Sequence, residues 1–175
     1  KQKNNLMISN IQSKSIQLSL LLSIPASSGI IIASEEIVSA LFGYGSFSKE
    51  NVELTAAALK FFGFGVPAFA LIKILSNFFF ARNNTQTPFL ISTFIISLNI
   101  IISLFFFSKI GFIIIPIATS ISTWVGVIIY LYYLQNKKYL LIQYYLPINI
   151  LKIILSAIFM SFFLIIALDY YAIYL

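Results

Sequence analysis

Apolar residues in this chain run in long blocks, and polar ones gather between them. A helix crossing a bilayer core of about 30 Å needs roughly 20 apolar residues. Five blocks reach about that length: 16–34, closed by Glu35 and Glu36; 56–81, closed by Arg82; 88–107; 110–134; and 146–168, closed by Asp169. Apolar and polar positions do not alternate strictly, so the strands of a transmembrane barrel are a poor reading. The pattern predicts an all-α polytopic membrane protein with five transmembrane helices.

The joints follow from local chemistry. Residues 1–15 form a polar lead-in carrying three lysines, and residues 35–55 a loop with a short helix. Ser48 is the expected N-cap of the second long helix, with Glu50 and Glu53 complementing its positive end. Thr87-Pro88 is expected to open the third as cap plus N1 proline. Ser108-Lys109 leaves room only for a tight antiparallel turn between the third and fourth. Residues 82–87 and 135–145 complete the loops on the side of the lead-in, and 169–175 form the far end. The chain does not begin with Met and is expected to be part of a longer protein.

Composition sharpens this picture. The chain is 60% apolar and only 9% charged, against about 25% charged in ordinary soluble domains. It carries eleven Lys and Arg against five Asp and Glu. The cations stand singly between apolar runs, unlike the clustered basic face of a nucleic-acid binder, and no nucleic-acid partner is expected. Counted by loop, Lys1, Lys3, Lys14, Arg82, Lys137 and Lys138 oppose Lys49 and Lys109, six against two. Cytoplasmic loops retain Lys and Arg, so the lead-in and the Arg82 and Lys137 loops are expected in the cytoplasm and Leu175 outside.

The chain has neither Cys nor His, which removes thiol chemistry, the usual zinc sites and His-based catalysis. No catalytic residue, metal or cofactor is expected. Charge inside a membrane is costly and marks candidate sites. Lys73 lies nine residues before Arg82, about 13 Å along a helix, so its head is expected to face an aqueous cavity, with snorkelling the alternative. Lys60 and Lys152 are read as snorkelling. Three segments read as kinks: Pro25 in the first span, Gly63-Phe64-Gly65-Val66-Pro67 in the second, and Pro116 in the fourth. Kinked helices suit a transporter that rocks between two states. Asn99, Ser120, Ser122 and Thr123 are expected to bond between helices. Trp124, Tyr130, Tyr132 and Tyr133 partly fit an interfacial belt.

Four motifs carry a family resemblance. Leu41-Phe42-Gly43-Tyr44-Gly45-Ser46-Phe47 resembles the "LF-x-x-G-x-F" element of the MurJ/MviN lipid II flippases, and Leu71-Ile72-Lys73-Ile74-Leu75 their "V-K-V-L". The run from Phe79 to Pro88 resembles "F-Y-A-R-x-D-x-x-T-P", and that from Ala118 to Trp124 resembles "A-T-S-I-A-x-W". Asn77, Phe80, Asn84 and Glu36 depart from the family's usual proline, tyrosine, aspartate and proline. The resemblance implies part of the C-terminal lobe of a fourteen-helix, two-lobe transporter in the bacterial cytoplasmic membrane. Its implied work is to move the lipid-linked peptidoglycan precursor by alternating access. Lys73 would then face the cavity and Arg82 would hold the cytoplasmic gate, both as substrate-binding residues. The partners implied are the precursor, membrane lipid and the N-terminal lobe of the same protein. Alone, residues 1–175 are expected to insert but not to transport. The runner-up readings are another polysaccharide-lipid flippase, a drug/cation antiporter, and a non-transporting assembly subunit.

Overall fold

Long apolar runs without water leave the backbone one economical solution, which is to bond to itself in helices. The structure, a computed structural model, describes residues 2–45 and 47–174. Lys1, Ser46 and Leu175 lie outside the described residues. Six α-helices make up the chain: α1 (Gln2–Ile32), α2 (Ser34–Phe42), α3 (Lys49–Phe80), α4 (Gln86–Ile110), α5 (Ile114–Asn136) and α6 (Leu146–Tyr174). All but α2 are long, and the all-α polytopic fold with five long helices stands as expected.

Several boundaries move, each for a physical reason. The polar lead-in is helical: α1 starts at Gln2 and runs unbroken for 31 residues, about 46 Å. The second long helix starts at Lys49, where Ser48 Oγ accepts from Asn51 N at 3.3 Å as an N-cap should. The cap of α4 is not Thr87. Thr85 occupies that position, and Asn84 Oδ1 accepts from Thr87 N at 3.1 Å instead. Residues Gln86–Asn136 form one 51-residue apolar stretch. It reverses at Gly111, φ 75°, three residues past the expected Ser108. A glycine takes that conformation at little cost. The reversal folds α4 onto α5, and Asn99 Nδ2 donates to Thr119 Oγ1 across the hairpin at 2.8 Å.

The long helices stand side by side in the order α6, α1, α3, α5, α4, each packed chiefly on its immediate neighbours. Helices α3 and α4, consecutive in the chain, barely touch because α5 lies between them. Polar side chains share the buried seams with an apolar cluster that includes Leu75, Phe79 and Leu134. On α1 the buried stripe holds Ser9, Gln12, Ser13, Ser23 and Ser27 together with Ile16 and Leu20, while Leu18, Leu21 and Leu22 face outward. On α5, Ser120, Ser122 and Thr123 are buried while Ile115, Ile121 and Ile128 are exposed. Lipid is as apolar as leucine, so close approach and interhelical hydrogen bonds drive association, not apolar burial.

The Gly63-to-Pro67 segment of α3 is where three helices meet. Pro67 has no N–H, so the Gly63 carbonyl four residues earlier loses its helical donor. Ser27 of α1 supplies one, its Oγ donating to Gly63 O at 2.7 Å. From the other side, Ser120 Oγ donates to Phe61 O at 2.6 Å and Trp124 Nε1 to Phe64 O at 2.9 Å. A Cβ at Gly63 would stand 2.8 Å from Ile31 Cγ1, and one at Gly65 2.8 Å from Ser120 Oγ. These glycines admit neighbouring helices. Pro116, by contrast, sits in the first turn of α5. A proline there removes no helical hydrogen bond, so it does not kink the helix. Trp124 likewise bonds to the middle of α3 and does not sit in an interfacial belt.

Candidate functional site

The spacing of α3 and α4 over α5 leaves a groove whose floor is α5. Near the Arg82 end it widens into a cavity of about 570 Å³, lined by Ser76, Phe80, Phe89, Ser92 and Tyr130 among others. Further along lies a second cavity of about 250 Å³, bordered by Phe69, Asn99, Thr119, Ser122 and Thr123. The lining is mainly apolar, with the hydroxyls of Ser76, Ser92 and Thr119 and the amide of Asn99 set into it. Polar groups at membrane depth mark candidate substrate paths. Lys73 is exposed. Helical register puts it four residues after Phe69 and three before Ser76, on the rim joining the two cavities. Asn99 and Ser120 form the interhelical bonds expected of them, whereas Ser122 and Thr123 donate to Thr119 O in their own helix.

Arg82 is placed elsewhere. Nine residues correspond to two and a half helical turns, so Lys73 and Arg82 point to opposite sides of α3. The guanidinium is half-buried and lies 4.4 Å over the Tyr139 ring. It donates to Phe78 O and to Tyr139 O, both at 2.9 Å. Phe79, fully buried, meets the rings of Tyr130 and Tyr139 at 6.0 and 5.9 Å. Arg82 thus ties the α5–α6 loop to the end of α3. Lysine keeps the charge but cannot bridge two carbonyls and stack. Arg82→Lys is therefore expected to raise protease cleavage within residues 137–145 several-fold, and unchanged cleavage would mean the tie is idle.

Sequence reasoning missed the other half of this tie. Gln12 on α1 donates through Nε2 to Tyr139 O and accepts through Oε1 from Leu141 N, both at 2.9 Å. Ser13 Oγ accepts from Gln143 N at 2.9 Å, and Asn149 Nδ2 donates to Gln17 Oε1 at 3.1 Å. A signal existed: Ser9, Gln12, Ser13, Ile16 and Leu20 recur at helical spacing, continuing the stripe of α1 into the lead-in. The charges also sort by end. Glu35, Glu36, Glu50, Glu53 and Asp169 lie at the end opposite Arg82, Lys137 and Lys138, as the helix directions require. Lys60 and Lys152 are exposed. Helices α1 and α3 run on through Pro25 and Pro67.

Comparison with known proteins places this arrangement. A family model described as "Lipid II flippase MurJ" matches residues 1–174. Similar curated proteins include the "Probable lipid II flippase MurJ" of Rickettsia prowazekii, 34% identical over 175 residues, 99% of this chain and 34% of that protein. The "Lipid II flippase MurJ" of Thermosipho africanus is 30% identical over 140 residues, 80% of this chain and 29% of that protein. A solved structure, "Lipid II flippase MurJ, inward closed conformation", superposes with a TM-score of 0.82 at 26% identity. It covers 91% of this chain and 33% of its own. The chain thus spans about a third of the length of these relatives. Five long helices packed through small and hydroxyl residues, matched from end to end, make it a multi-pass membrane protein, and it belongs to the lipid II flippase MurJ family.

Proposed function

We propose that this chain is the C-terminal portion of a flippase that carries the lipid-linked peptidoglycan precursor across the bacterial cytoplasmic membrane by alternating access. The reading is carried by the groove between α3 and α4, where Ser76, Ser92, Asn99 and Thr119 interrupt a mainly apolar lining and helical register sets Lys73 at the rim, in a chain of this family. A pyrophosphate crossing a membrane needs hydration and a cation, while its polyprenyl tail stays in lipid. Lys73 supplies the charge, and the hydroxyls and amide along the groove supply scattered polar contacts. Arg82 acts by fixing the loop at the cytoplasmic end of α3, which makes it a positioning residue at the gate. Antiport of drugs against protons or sodium calls for a carboxylate within the membrane. Among the described residues all carboxylates gather at one end.

The test uses the full-length protein containing these residues as the sole flippase of a depleted bacterium. Growth should return, and precursor should become accessible to a lipid II-cleaving enzyme added outside. Protein present in the membrane without either effect would overturn the assignment.

Orientation is tested separately. The end bearing Arg82, Lys137 and Lys138 is assigned to the cytoplasm by its cations. These residues contain no Cys, so single cysteines placed among them report cleanly in a full-length protein whose other cysteines are replaced by Ser. In intact cells an impermeant thiol reagent should label Tyr44→Cys and Lys109→Cys but spare Asn84→Cys and Lys138→Cys. The opposite pattern would invert the topology.

A further inference from the structure

The α4–α5 hairpin carries a second feature on the face of α4 turned away from the groove. At its loop end, Asn83, Asn84, Thr85, Gln86, Thr87 and Lys137 border a polar cavity of about 420 Å³. Next to it, Leu90, Phe94, Ile128, Ile129 and Tyr133 help to line an apolar cavity of about 490 Å³ between α4 and α5. Thr87 belongs to both. Lys137 Nζ donates to Thr87 Oγ1 at 3.2 Å, which stations the ammonium at the junction. An ammonium has three donors, so two are left for an incoming acceptor. Lys138 is exposed beside it, and all five carboxylates of the chain lie at the other end.

We propose that the two cavities together bind an anionic membrane phospholipid, with its phosphate on Lys137 and one acyl chain between α4 and α5. The pieces match in order and in sign. The polar cavity with the cation is where a headgroup would sit, and the apolar cavity follows from Thr87 to Phe94, about 10 Å along α4. A free phosphate would leave the apolar part without a function. A zwitterionic lipid would fill it but would gain less from a net positive site. Tyr132 and Tyr133, both exposed, flank the junction as amphipathic rings do at headgroup level. The site is separate from the groove that carries the transport reading, and it stands whether or not that reading does.

The experiment places a photo-crosslinking residue at Ile128 in the full-length protein, in membranes of equal phosphatidylglycerol and phosphatidylcholine. Adducts are identified by mass. A basic residue near an anionic surface favours the anionic lipid about fivefold, so phosphatidylglycerol adducts should exceed phosphatidylcholine adducts by about that factor. Lys137→Gln should bring the ratio close to equality. Lys152→Gln removes the same charge from α6, on the far side of the row, and should leave the ratio unchanged. Equal adducts in the native protein, or a ratio insensitive to Lys137→Gln, would overturn the proposal. Adducts to protein in place of lipid would also overturn it, showing that another helix fills the cavity.

Discussion

Gly65→Val is expected to part α3 from α5 and to give the largest loss of stability of any single substitution considered for this chain. A Cβ at Gly65 would stand 2.8 Å from Ser120 Oγ and 3.4 Å from Ser120 Cα. The backbone of α5 would therefore have to retreat. With it would go the bonds from Ser120 to Phe61 O and from Trp124 to Phe64 O. Overpacking of this kind costs about 1–3 kcal/mol, and each lost interhelical hydrogen bond in a membrane adds about 0.6 kcal/mol. Gly29 is the control, because a Cβ there meets nothing within 4 Å. Gly29→Ala should be neutral, or stabilising by up to about 1 kcal/mol from the lower helical cost of alanine. Thermal midpoints of the purified protein in detergent separate the two. Were Gly65→Val as stable as Gly29→Ala, the close approach of α3 and α5 would not be holding the row together.

Lys73→Ala in the full-length protein should lower flipping about ten- to hundredfold while membrane levels stay normal, the range expected when a charged donor to an oxyanion is removed. Levels should hold because Lys73 is exposed on the rim and none of the hydrogen bonds found among the described residues uses its ammonium. Lys73→Arg should recover part of the activity, since charge persists while donor geometry changes. Lys60→Ala, on the same helix but near its other end, should have little effect. External accessibility of the precursor, measured against protein level, is the readout. Wild-type flipping by Lys73→Ala would leave Lys73 as a lysine that merely snorkels.

The kink reading shows how local and tertiary information divide. Gly63, Gly65 and Pro67 signalled a weakened stretch of helix from composition alone. That stretch is the place where Ser27, Ser120 and Trp124 dock. Partners 36 to 60 residues away cannot be read from the stretch itself. Arg82 was recognisable as a residue of consequence from its motif, yet its partner Tyr139 lies 57 residues on. The lead-in misled in the other direction. Its polarity argued for a loop, whereas Gln12 and Ser13 are polar because they hold the backbone of another loop.

The sequence by itself determined the number of long helices, the end of the row at which each loop falls and the end that gathers Arg82, Lys137 and Lys138. These depend on apolar length and on charge counted along the chain, both local quantities. Only the tertiary structure decided that α3 neighbours α5 and not α4, that a groove therefore opens over α5, and that Arg82 meets Tyr139. The reason is the solvent. In water an apolar stripe marks the face that must be buried, but in lipid every apolar face is already satisfied. Helix partners are then chosen where a glycine meets a side chain that fits it, or a bared carbonyl meets a hydroxyl. Such matches are properties of pairs, and they come into being only when the chain has folded.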